Sequence, residues 1–134
     1  MVSTRELGDL AEGLAQDYLR KLGYEIKATN WYHGHLELDI VALDGDELVI
    51  VEVKARSGLR YEHPSEAVTN TKIKRIVEAA DAYILEHESE LDTRFDVITV
   101  IFFSKATSWS ILKMLFIQRC NIVKTHVYSK VTPL

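Results

Sequence analysis

Cysteine is almost absent from this chain: Cys120 is the only one among 134 residues. An internal disulfide framework is thereby excluded, and a reducing compartment is the matching environment. No stretch approaches the roughly 18 consecutive apolar residues that a membrane-spanning helix requires. The opening residues, MVSTRELGDLAEG, have no apolar signal core behind a basic start. A cytoplasmic protein with no membrane partner is the expectation. Internal repeats, low-complexity segments and clusters of His and Cys at metal-ligand spacing are all missing. Acid is missing from one region only. From Ser104 to Leu134 the chain carries Lys105, Lys113, Arg119, Lys124 and Lys130 and no Asp or Glu. The preceding 103 residues therefore hold all 20 acidic residues against 11 of the 16 basic ones, a net charge of −9. That is not the usual footprint of a nucleic-acid binder, although cations bound to some of the carboxylates would invert the local field.

What is present describes an ordinary soluble domain, with 47% apolar and 27% charged residues. The spacing predicts a helix over residues 6–22, where Leu7, Leu10, Leu14, Ala15, Tyr18, Leu19 and Leu22 recur at helical intervals before Gly23. Residues 24–30 alternate weakly as a first strand, with Trp31–Gly34 as its turn. A second helix should run from about Ser65 or Thr71 to His87, on a stripe of Ile73, Ile76, Val77, Ala80, Tyr83 and Ile84. Residues 94–103, RFDVITVIFF, read as a central strand. Helix, three strands, helix, strand is the order of an α/β domain covering residues 1–103. The crossover through the second helix should make the strand at Val97 parallel to an earlier one. Residues 104–134 form an atypical basic extension, in which Ser110–Ile117 could be helical and Val123–Val131 is β-like.

The centre of organisation is HLELDIVALDGDELVIVEVKAR, residues 35–56. Two runs of alternating character flank Asp44-Gly45-Asp46, a hairpin signal. Residues two apart on a strand share a face, so Glu37 pairs with Asp39 and Glu52 with Lys54. Three carboxylates and an ammonium converge where a buried sheet is expected, and such charges are costly unless paired or bound to a cation. Blander readings accompany these residues. Glu52 and Lys54 read equally well as a surface pair on an edge strand until the flanking LVIV and Val53 are considered. His33 and His35 are spaced like strand-face ligands but fall in a turn, where solvation explains them better. Arg56, Arg60 and Tyr61 follow the acidic site and are placed to grip a phosphate backbone, or to form a polar loop. Arg94 and Asp96 share a face and can pair with each other.

An acid at one strand and an acid-x-Lys on the next resembles the PD-(D/E)xK nuclease superfamily. The chain is more closely similar to the YraN-like family of small bacterial predicted endonucleases. That resemblance runs in consistent order over residues 7–100, through GDLAEGLAQDYLRKLGY, NWYHGHLELDIVA, VIVEVKARS, EAVTNTKIKRI and RFDVITV. Archaeal Holliday-junction resolvases look like more distant relatives. The resemblance implies a restriction-endonuclease-like α/β fold, a central mixed β-sheet flanked by helices on both faces. It implies metal-binding acids at Asp39, Glu52 and Glu37, a catalytic set of Glu12, Asp39, Glu52 and Lys54, and a basic helical position at Lys72. Two departures stand out: Leu38 occupies the position of the superfamily's eponymous proline, and the basic tail does not match the family's ending.

The activity so implied is Mg²⁺- or Mn²⁺-dependent hydrolysis of phosphodiester bonds in DNA, branched or otherwise structured DNA among the candidate substrates. Arg56, Arg60 and Lys72 would contact nucleic acid, and a homodimer is compatible with this reading. Carboxylates suit these hard cations, and a metal-bound water is the nucleophile that such chemistry requires. The alternatives are a non-catalytic nucleic-acid-binding or assembly module on the same fold, towards which the acidic body inclines, and a structural domain whose charges only pair among themselves.

Overall fold

In the computed structural model the described residues are 3–57, 70–105, 108–123 and 126–133, with side chains described for 3–56 and 70–102. Helix α1 spans Thr4–Lys21, followed by strands β1 (Glu25–His33), β2 (Leu36–Asp44) and β3 (Glu47–Ser57). Helix α2 (Asn70–Glu86) leads to β4 (Asp92–Lys105), β5 (Ser108–Val123) and β6 (His126–Pro133). The sheet is mixed, in the order β1-β2-β3-β4-β5-β6. Every neighbouring pair is antiparallel except β3 and β4, which run parallel from Glu47↔Asp92 to Ser57↔Phe102. The crossover expectation holds, and β4 is central. No helix among the described residues is long and apolar enough to cross a membrane.

Helix α1 begins earlier than its apolar periodicity suggests, because Ser3 and Glu6 form a capping box. The Ser3 hydroxyl accepts from the Glu6 amide at 3.2 Å, and the Glu6 carboxylate accepts from the Ser3 amide at 2.9 Å. Its end is set by Gly23 at φ 89°, a conformation that glycine adopts without strain. Gly23 and Tyr24 amides then return to the Arg20 and Leu19 carbonyls, a Schellman ending.

The two helices cover opposite faces. Ala11, Ala15 and Leu19 of α1 pack with Ile40, Ala42, Val49, Val51, Ile98, Val100 and Phe102. Ala79, Ala80 and Tyr83 of α2 pack with Leu36, Leu38, Val41, Leu48 and Ile50. The fold is thus α/β, a mixed sheet flanked by helices, consistent with a restriction-endonuclease-like architecture.

Three expectations change and a fourth is completed. β1 continues through Trp31 and Tyr32 to His33, so the turn is confined to Gly34 and His35. Alternation along β2 breaks at Asp39: Leu36 and Leu38 join the α2 cluster, whereas Ile40 and Ala42 join the α1 cluster. The segment Ser110–Ile117 is strand, not helix, because it completes a ladder on β4. The β-like segment near the end finds its partner in β5.

At the turn end of the β2–β3 hairpin, the charged groups pair among themselves. Arg94 is buried and donates to both oxygens of buried Asp96, at 3.0 and 3.1 Å. It also donates to Asp44 at 3.0 Å and to the Tyr24 hydroxyl at 2.8 Å. One guanidinium thereby joins the end of α1, the hairpin turn and β4. Replacing Arg94 with Met removes the guanidinium that compensates the buried Asp96 carboxylate and should cost about 3–5 kcal/mol. Urea denaturation should show this loss, and Arg94→Met combined with Asp96→Leu should recover most of it.

Candidate functional site

The opposite end of the same hairpin is open. β2 and β3 pair from Asp44↔Glu47 to Ile40↔Val51 and no further. The ladder would next call for main-chain bonds between residues 38–39 and 52–53. Instead the Asp39 carboxylate accepts from the Val53 amide at 2.9 Å. β1 and β2 stay paired past this point, to His33↔Leu36, so the sheet forks and the β1–β2 arm leaves β3. A side-chain oxygen has replaced a ladder carbonyl, which satisfies a backbone donor and fixes a carboxylate in the crotch of the fork.

Acids gather there from three elements. Glu12 flanks the Ala11–Ala15–Leu19 stripe of α1, about 100° around the helix from Ala11, so the packing that buries the alanines brings its carboxylate to the fork. Glu12, Glu37 and Asp39 each offer an oxygen within 4.8 Å of the other two. Asn30 lies between them at φ 47°. With its amide nitrogen turned inward, it donates to Glu37 and Glu12 at 3.2 Å each. Glu52 reaches the fork from β3, and its Oε1 is paired with Lys54 Nζ at 3.1 Å and Lys72 Nζ at 3.0 Å. Both Glu52 and Lys54 are largely buried on an internal strand, which rules out the edge-strand surface pair. Val53, between them, packs towards the α1 cluster.

The electrostatics follow from this crowding. Burial, and after it the negative charge of Glu52, raise the Asp39 pKa to about 8 against the opposing pull of the Val53 amide. Glu12 is also raised, by burial first, with the Asn30 hydrogen bond pulling the other way. Tyr32, exposed on the arm and paired in register with Glu37, is raised by the charge of Glu37 and by their hydrogen bond. A carboxyl group protonated near neutral pH beside three other acids is an arrangement that a cation would relieve.

The candidates suggested by sequence are distributed unevenly. Glu12, Glu37, Asp39, Glu52, Lys54 and Lys72 converge. Arg56 is half-buried and donates to the Ala55 carbonyl at 3.1 Å. Arg60 and Tyr61 lie outside the described residues. His33 is exposed and stacked near Trp31, while His35 lines a cavity of about 470 Å³ together with Glu37, Asp39, Glu52, Thr71, Lys72 and Arg75. Asn30 was not singled out, and its signal was an Asn inside a strand, where that residue is depleted and where it tolerates positive φ.

The raised pKa of Asp39 has a consequence for metal-free protein. The folded state holds this proton up to about pH 8, while the unfolded chain releases it near 3.8. Stability therefore falls as pH rises between those values. In chelator, Asp39→Asn should be more stable than wild type at pH 8.5, by on the order of a few kcal/mol. Denaturant midpoints should show the difference disappearing near pH 4.

Comparison with known proteins gives one consistent match. The model of the family described as "Uncharacterised protein family UPF0102" matches residues 11–100, a span that includes every converging acid and lysine named above. A UPF0102 protein of Bacteroides thetaiotaomicron is 52% identical over 101 residues, covering 75% of this chain and 84% of the relative. Its counterpart in Parabacteroides distasonis is 46% identical over the same shares. One from Chlorobium chlorochromatii is 47% identical, over 73% of this chain and 76% of its own. With a helix acid, a forked hairpin and an acid-x-Lys strand inside the matched span, the chain belongs to UPF0102, the YraN-like family.

Proposed function

We propose that this protein is a Mg²⁺- or Mn²⁺-dependent endonuclease that hydrolyses phosphodiester bonds in DNA. The observation that carries this reading is the fork. Asp39 is locked to Val53 there and meets Glu12 and Glu37 within 4.8 Å, with the Glu52–Lys54 pair on the adjoining strand. The donors are all carboxylate oxygens, the set preferred by hard divalent cations. Asp39, Glu37, Glu12 and Glu52 would hold such an ion, which when bound lowers the pKa of a water and offsets charge developing at phosphorus.

The remaining work falls to the chain itself. Lys54 is two residues from Glu52 on the same strand face, within reach of a phosphate oxygen or of the attacking water. Its ammonium stabilises charge that grows as the P–O bond breaks, an interaction worth most in a partly dry site. Lys72 and Arg56 supply contacts to the nucleic-acid backbone, and Asn30 holds Glu12 and Glu37 in place while neither is neutralised.

Three outcomes are expected. Mn²⁺ should raise the Tm of wild type and affect Asp39→Asn far less. Its affinity should increase from pH 6 to pH 8, because cation binding must displace the Asp39 proton; calorimetric titration at both pH values checks the sign. In a Mn²⁺ cleavage panel of linear, single-stranded, flapped and four-way DNA, Lys54→Ala should lower single-turnover rates at least about a hundredfold while retaining metal binding. Wild-type rates in Lys54→Ala would reject the assignment, and metal-free DNA binding without cleavage would favour a binding module.

A further inference from the structure

The cavity at the fork has two walls of opposite character. Glu37, Asp39 and Glu52 form one, and the first turns of α2 form the other through Thr71, Lys72 and Arg75, with His35, Leu36 and Ile76 completing the lining. Lys72 and Arg75 are three residues apart, neighbours on one helix face. Lys72 spans the walls by its 3.0 Å contact with Glu52. Arg75 is exposed and has no ion-pair partner among the described residues. In a domain carrying 20 acidic residues against 11 basic ones before the tail, such a wall is a local reversal of sign.

A volume of about 470 Å³ falls within the range of small-molecule sites and exceeds what one phosphodiester group fills. Charge divides that volume. An anion on the acidic side requires a cation, while an anion on the α2 side meets an ammonium, a guanidinium and a hydroxyl directly. Guanidinium groups match the fork of phosphate oxygens in two parallel hydrogen bonds, which ammonium groups cannot do.

We infer that Thr71, Lys72 and Arg75 form a subsite for a second phosphate, the one adjacent to the scissile phosphodiester along the same strand. This deepens the proposed function and rests on it. It makes the preferred substrate a strand with at least two consecutive phosphates, and Arg75 a binding residue that selects for the second.

The test uses thymidylyl-thymidine, which has one phosphodiester, and its 5′-phosphorylated and 3′-phosphorylated forms, which add a neighbour on either side. In Mn²⁺, wild type should cleave one phosphorylated form with kcat/KM at least about tenfold above the unphosphorylated dinucleotide, the scale of one charge-assisted contact. Arg75→Gln should bring that ratio close to one, and Arg75→Lys should restore part of it. A purely structural role would lower kcat/KM for all three compounds equally and leave the ratio intact, which overturns the subsite, as does a wild-type ratio of one. Absence of Mn²⁺-dependent hydrolysis of all three compounds, and of the longer DNA substrates, overturns the nuclease reading itself.

Discussion

A single hydrogen bond, from the Val53 amide to the Asp39 side chain, shapes the forked end of the β2–β3 hairpin. A strand pair normally ends where its main-chain groups reach water. Here it ends because a side chain intercepts the next donor. β2 is then free to diverge from β3 while remaining paired with β1, and the space so opened receives Glu12 from one helix and Lys72 from the other. The cost is visible in Asp39, whose pKa of about 8 reflects burial and the proximity of Glu52. A carboxyl group so strongly perturbed by burial and a neighbouring charge is a mark of functional sites more than of structural ones.

The two ends of the hairpin treat charge differently. At the turn, Arg94 holds Asp96, Asp44 and Tyr24 together, so the buried charges there are paired at hydrogen-bonding distance. At the fork, four carboxyl groups are served by Asn30, the Tyr32 hydroxyl, one amide and two ammonium groups, both of the latter on the same oxygen of Glu52. The closed end is satisfied internally. The open end has more negative charge than its partners neutralise, an excess that the proposed divalent cation would offset.

Much of this was legible in the sequence. Alternation around Asp44-Gly45-Asp46 located the hairpin, and parity put Glu52 and Lys54 on one face with Val53 on the other. Glu12 was another matter: an acid on an amphipathic helix looks like any solvated residue, and only the resemblance to the YraN-like family singled it out. Period-two alternation could not reveal the break at Asp39, because it follows from a tertiary hydrogen bond. Asn30 and Arg75 were hidden for a related reason. Their significance lies in what faces them, and that depends on how the helices dock. Residues 110–117 form an apolar run without a clear polar face, which is compatible with a helix or an added strand and which short-range periodicity cannot assign.

The alanines of α1 carry a further implication. Ala11 and Ala15 are wholly buried against the sheet, and Glu12 is carried on the same helical turn. Their small size sets how closely the helix approaches β3, and hence the gap between the helical acid and the acids of the strands. An added methyl group at either position would lift the helix as overpacked cores do. Such a change would retune the spacing of the carboxylates from inside the core, without altering any residue that touches a ligand.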